Sequence, residues 1–198
     1  MENVGVTKIF DNTAISAFIN EIPSIEMLKV CSQHYTLTTS VEVYREALEG
    51  YDKETLNSCF TDIAVIDKNH EKIYQTIMTV LSDRYPYLHK GDISSLLLAY
   101  MDYAVPGKPY YYVTDDNNLR KKIPEILASD ILKSLTKKNI QKFNMTGIIG
   151  LMRHIADNGN LSESDIDLII TDLKRSTFYV TEDLLSYRTY ALGSDRKI

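Results

Sequence analysis

The chain has 198 residues, 44% of them hydrophobic and 25% charged, with a formal net charge of −5. That length and mix predict one globular domain with a full core, spanning residues 1–198, rather than two. The negative balance excludes nucleic-acid binding through bulk positive charge, so any such binding needs a local basic patch or a metal ion.

In chain order, Lys8-Ile9-Phe10 reads as a short buried strand that runs into Asp11. Helical segments follow at 13–20 and 24–32, then a β-rich strand at 35–38. Ser40 is placed to cap a helix that runs to Glu49 and stops at Gly50. A third strand is expected at 62–66 and a helix at 70–81. Gly91-Asp92 opens the most strongly periodic helix, with Ile93, Leu96, Leu97, Tyr100, Met101 and Ala104 on one stripe, closed by Pro106-Gly107. A fourth strand spans 110–114 and ends at Asp115-Asp116, and a fifth is expected at 140–144. Helices are expected at 147–157 and 162–175, with an extra helix within 121–144 and a helical extension within 176–198. Alternating strands and helices predict an α/β sandwich with a mainly parallel sheet of four to five strands flanked by helices. In such sheets, sites form at the carboxyl ends of the strands, where Asp11 and Asp115-Asp116 lie.

Several chemistries lack their motif. There is no glycine-rich dinucleotide or P-loop phosphate cradle and no nucleophile elbow. A phosphoryl-aspartate enzyme would want a second Asp at position 13, which is Thr. His34, His70, His89 and His154 are scattered without metal spacing and read as structural or solvent-exposed. Cys31 and Cys59 form neither a disulfide framework nor a zinc motif and read as free thiols. The longest apolar stretch, 93–105, is broken by Asp102 and is too short to cross a bilayer. No leader pattern opens the chain, so a cytoplasmic protein is expected.

What remains is a set of dispersed carboxylates: Asp11, Glu46, Asp92, Asp115 and Asp116. Grouped carboxylates repel and are tolerated when a hard cation such as Mg²⁺ or Mn²⁺ neutralises them. Taken singly, Asp11, Asp92 and Asp116 read equally well as helix caps, and periodicity gives Glu46 no standing over Glu42 or Glu49.

Motif order adds to this. Asp11-Asn-Thr-Ala, Val43-Tyr-Arg-Glu46, Gly91-Asp92 opening an apolar helix, Thr114-Asp-Asp-Asn-Asn-Leu-Arg120 and Thr146-Gly-Ile-Ile-Gly-Leu151 follow one another on matching elements. In that order they resemble the motifs of the PIN-domain family, over about residues 8–185. The resemblance implies a PIN-like three-layer sandwich and a Mg²⁺- or Mn²⁺-dependent endoribonuclease like the toxin halves of prokaryotic toxin–antitoxin pairs. Asp11, Glu46, Asp92, Asp115 and Asp116 would be catalytic, with metal on Asp11, Asp92 and one or both of Asp115 and Asp116. Thr13 and Thr114 would hydrogen-bond the carboxylates. Candidate RNA contacts are Arg120, Lys121 and Lys122, followed by Lys133, Lys137, Lys138 and Lys142. The family resemblance further implies a homodimer and a small antitoxin partner. Two features depart from the pattern: Asn at position 12, where Ser or Thr is commoner, and a long stretch from Lys121 to Asn144. Both motivate an alternative, a non-catalytic PIN-like module that binds RNA or protein with a degenerate metal site.

Overall fold

Strand β1 (Thr7–Phe10) is buried along its whole length, as a strand flanked on both sides and both faces must be. It pairs in parallel with β2 (Thr36–Ser40) on one side and β4 (Tyr110–Val113) on the other. Strand β3 (Ile63–Ile66) extends the sheet beyond β2, and β5 (Lys142–Thr146) extends it beyond β4, both in parallel. The order is β3-β2-β1-β4-β5-β6, with β6 (Arg188–Ala191) antiparallel at the β5 edge. These assignments come from a computed structural model, which describes residues 5–21, 31, 33–50, 53–54, 63–66, 72–137, 140, 142–157, 161–175 and 188–191.

Side-chain alternation divides the core in two. Phe10, Leu37 and Val113 face one apolar cluster, which is completed by Ile148, Leu151 and Ile155. Ile9, Tyr112 and Met145 face the other, with Leu81, Leu96, Leu97, Ile123 and Ile126. Two cores on opposite faces of one sheet make three layers, the α/β architecture expected from the alternation of elements.

The helices whose bounds lie among the described residues are α1 (Asn12–Ser16), α2 (Val41–Gly50), α3 (Lys72–Arg84), α4 (Lys90–Ala99), α5 (Asn117–Ala128), α6 (Asp130–Thr136), α7 (Ile148–Ala156) and α8 (Glu163–Arg175). Helix α1 continues as a π-helical turn, Ala17–Glu21, and α4 as another, Tyr100–Ala104. Ser40 caps α2 as expected, its Oγ accepting from Val43 N at 3.3 Å. Helix α4 is apolar on every side rather than along one stripe, and Gly91 through Ala99 are all buried. It is covered by α2, α3 and the sheet. Its serines survive burial because their hydroxyls bond inside the helix: Ser94 Oγ donates to Gly91 O at 3.0 Å and Ser95 Oγ to the same carbonyl at 2.9 Å.

Some expectations shift. The fifth strand begins and ends two residues later than expected, because Phe143 and Met145 are the alternate residues that reach the core. The stretch 121–144 holds the rest of α5, all of α6 and the start of β5. Residues 188–191 form a sixth strand where a helical extension is expected: Arg-Thr-Tyr-Ala pairs its backbone with the β5 edge. The expected helix at 24–32, apart from Cys31, and most of the expected extension, residues 176–187 and 192–198, lie outside the described residues, as do Asp62, Cys59 and His70. Among the described residues, no helix is long and apolar enough to cross a membrane.

Candidate functional site

The chain leaves β1 for β2 on one side and later returns to β4 on the other, so the order of connection reverses between β1 and β4. That crevice, at the strands' carboxyl ends, is where α/β sheets build sites. The register Phe10↔Val113 sets the next residues, Asp11 and Thr114, side by side.

Asp11 is fully buried. It caps α1, its Oδ1 accepting from Ala14 N at 2.8 Å. Thr13 Oγ1 donates to the same carboxylate at 2.8 Å, and Thr114 Oγ1 donates to its Oδ2. Each threonine oxygen also accepts from the chain after β4: Thr13 from Asp115 N at 3.3 Å, Thr114 from Asp116 N at 3.2 Å. Two hydroxyls thus tie the ends of β1 and β4 together through one carboxylate. Burial pushes the Asp11 carboxyl up to about 7, against the lowering effect of these donors, with Asp115 adding to the rise.

Asp115 lies beside Asp11 and is 8% exposed. Its Oδ2 accepts from Ile148 N at 2.9 Å, the first amide of α7. Burial pushes its carboxyl up to about 6, while that amide and the Arg120 guanidinium favour the charged form. Arg120 is itself buried, its Nη1 donating to Thr114 O at 2.9 Å. It is therefore a brace behind the site and not a surface contact for RNA, which corrects the sequence expectation. Gly150 explains the second glycine of Thr146-Gly-x-x-Gly: a Cβ there would fall on Thr146 Oγ1.

Asp116 turns outward. It caps α5, its Oδ1 accepting from Asn118 N at 2.7 Å and Leu119 N at 3.1 Å. Asp92 sits at the third position of α4 rather than at its cap, and its Oδ2 accepts from His89 N at 2.9 Å. Burial pushes Asp92 up to about 6, helped by Asp116 and Glu46. Glu46 reaches across from α2, where its Oε1 accepts from Gly91 N at 2.7 Å. A Cβ at position 91 would fall on that carboxylate, so the glycine before Asp92 makes room for it.

The outward group lines a cleft of about 690 Å³ formed by Asn12, Thr13, Glu42, Arg45, Glu46, Glu49, His89, Lys90, Asp92 and Asp116. Of the expected site residues, Glu46, Asp92, Asp116 and Thr13 reach this cleft, while Asp11, Thr114 and Asp115 are buried behind it. Arg45, His89 and Lys90 are cleft residues that sequence reasoning missed. They occupy helix and loop positions that periodicity does not distinguish from ordinary surface. Lys121, Lys122, Lys133, Lys137 and Lys142 do not line it, and Lys138 lies outside the described residues.

Each of the four aspartates is thus engaged by a backbone amide: Asp11 by Ala14, Asp115 by Ile148, Asp116 by Asn118 and Leu119, and Asp92 by His89. The donor set is all hard oxygen. Asn12 Oδ1 is buried with no hydrogen-bond partner, at the cleft and next to Asp11. Among the described residues, no three His, Cys, Asp or Glu side chains group tightly enough to hold an ion by themselves. By its chemistry an all-oxygen donor set would suit a hard cation such as Mg²⁺ or Mn²⁺ only in the water-rich mode, with one or two carboxylates and water at the remaining positions. The residues do not form a closed cage.

No family model and no curated protein matches the chain. Similar solved structures include a PilT N-terminus domain protein from the hyperthermophilic archaeon Sulfolobus solfataricus P2. It is 10% identical with a TM-score of 0.44, over 76% of this chain and 93% of that one.

Proposed function

We propose that the chain is a metal-dependent endoribonuclease of the PIN-domain type. One observation carries the reading: Asp11 and Asp115 meet in the crevice between β1 and β4 behind a cleft lined by Asp92, Asp116 and Glu46. The order of the five sequence motifs supports it. Bound Mg²⁺ or Mn²⁺ would lower the pKa of its water and stabilise charge on a phosphodiester. One or two of Asp92, Asp116, Asp11 and Asp115 would hold it, Asp92 and Asp116 from the cleft and Asp11 and Asp115 from behind it. Thr13 and Thr114 orient Asp11 and favour its ionised form, and the nearby charge of Arg120 favours the ionised form of Asp115. Glu46, held by Gly91, places a further carboxylate at the mouth. A toxin role under a small antitoxin, and a homodimer, extend the same resemblance.

Purified protein is expected to cut RNA with Mg²⁺ or Mn²⁺, to stop in EDTA, and to lose activity in Asp11→Asn. Cleavage that survives both EDTA and the substitution would sink the reading. The absence of three grouped ligands among the described residues favours a second one, a non-catalytic binding module. Calorimetric titration with Mn²⁺ separates the two: heat that disappears in Asp92→Asn supports the nuclease, and no heat supports the module.

A further inference from the structure

The cleft presents five carboxylates, Glu42, Glu46, Glu49, Asp92 and Asp116, against two full cations, Arg45 and Lys90. Those cations are exposed, and no ion pair within 4.0 Å neutralises either one among the described residues. Three of the carboxylates are already engaged by backbone amides. Next to Lys90 the chain makes a rigid turn, Tyr85-Pro86-Tyr87-Leu88, in which Leu88 N donates to Tyr85 O at 3.0 Å. Tyr85 is buried, and its hydroxyl donates to Glu125 at 3.1 Å. Tyr87 packs against it edge-on, ring centroids 6.2 Å apart, yet remains 54% exposed. Lys122 lies beyond, paired with Glu125 at 2.9 Å and close enough to Tyr87 for the phenol to favour its charge. An exposed pair of that kind gives way readily to a phosphate.

We infer that a nucleic-acid strand is held along a track from Arg45 and Lys90 in the cleft, over the Tyr87 ring, to Lys122. Tyr87 and Lys90 are three chain steps apart, a span of at most about 11 Å. An exposed aromatic between cations suits an unpaired base stacked on its face with phosphates on either side. The inference rests on the nuclease reading for the cleft's purpose, but it concerns binding.

The test uses the full chain and a 5′-fluorescein-labelled unstructured RNA dodecamer, followed by anisotropy with and without Mg²⁺, with cleavage measured in parallel. Arg45→Gln and Lys90→Gln are each expected to weaken binding about 3–10-fold and to flatten the log Kd against log [salt] slope by about 0.7. Tyr87→Ala is expected to weaken binding about tenfold at an unchanged slope, with recovery in Tyr87→Trp. Lys174→Gln, on α8, removes the same charge and is expected to change nothing. Wild-type binding in all three track variants, an equal loss in Lys174→Gln, or no binding by the wild type overturns the track. RNA bound through these residues but never cut leaves the track standing and removes the nuclease. RNA cut with unchanged KM in the three variants does the reverse.

Discussion

Asp11 concentrates the site's electrostatic conflict in one side chain. Its carboxyl is raised from 3.8 to about 7, so between those values the folded chain holds a proton that the unfolded chain has released. Its contribution to stability is full below about pH 4 and is lost as pH rises through about 7. A shift of that size is worth on the order of 4 kcal/mol. Urea unfolding at pH 5 and pH 8 is expected to show the metal-free protein weaker at pH 8. Asp11→Asn should shrink the difference without abolishing it, because Asp92 and Asp115 are raised in the same direction. Gly91 supports a second prediction. Helix propensity alone favours Gly91→Ala by about 1 kcal/mol, and the obstructing group is only the end of the Glu46 side chain. The variant should fold and melt within a few degrees of wild type while, under the proposed nuclease function, RNA cleavage falls about tenfold or more. A large drop in melting temperature would mean that the backbone, not Glu46, had been displaced.

Among the elements, β1 carries a charge at each end of its buried run. Lys8 is buried on the face opposite Ile9, with its ammonium 4.2 Å from the ring centres of both Tyr35 and Tyr111 and 3.0 Å from His154 Nδ1 on α7. Burial pulls it from 10.5 down to about 7, and pushes the neighbouring Cys31 thiol up to about 12. The lysine's burial therefore weighs on stability fully below about pH 7, and the strain is relieved as pH rises toward 10.5. Lys8→Met, which keeps the length without the charge, is expected to add roughly 1–4 kcal/mol at pH 6. It should also remove the gain in stability between pH 7 and 10, read by denaturant titration. In α4, Leu97→Ala should cost roughly 2–5 kcal/mol, because helices and sheet pack the residue from all sides and leave little freedom to collapse.

The same elements mark what was legible beforehand. Ile9-Phe10 and Tyr110 to Val113 are short β-prone runs that end in polar turns, so strands and their terminal aspartates could be read directly. Periodicity found α4 but placed Tyr100 to Ala104 in the same helix, because a π-helical turn shifts the stripe only slightly. Arg120 could not be read as buried: its partner is the Thr114 carbonyl, and nothing in a Lys/Arg run says which member folds inward. The Glu46–Gly91 contact spans two helices and has no local signature, so only motif order singled out Glu46 from Glu42 and Glu49.

At the scale of the molecule, the cleft is acidic on a chain whose net charge is already −5. A polyanion cannot settle there by steering alone, so under the proposed function a divalent cation acts on the whole fold before RNA does. A cation bound only by the folded chain adds about 2.7 kcal/mol at a hundred times its Kd. The melting temperature at pH 8 is expected to rise with Mn²⁺ or Mg²⁺ and to rise much less in Asp92→Asn. An equal rise with NaCl at matched ionic strength would point to general screening instead.

The parallel pairing of β1 with β4 also has a consequence for synthesis. Asp11 leaves the ribosome about a hundred residues before its partner Thr114, and the amide that holds Asp115 belongs to Ile148, later still. At about 5–20 residues per second, this interval is on the order of ten seconds. Throughout it the nascent chain carries one half of the crevice without the other. A polypeptide interrupted anywhere before α7 would lack the assembled centre, however well its first strands and helices had formed.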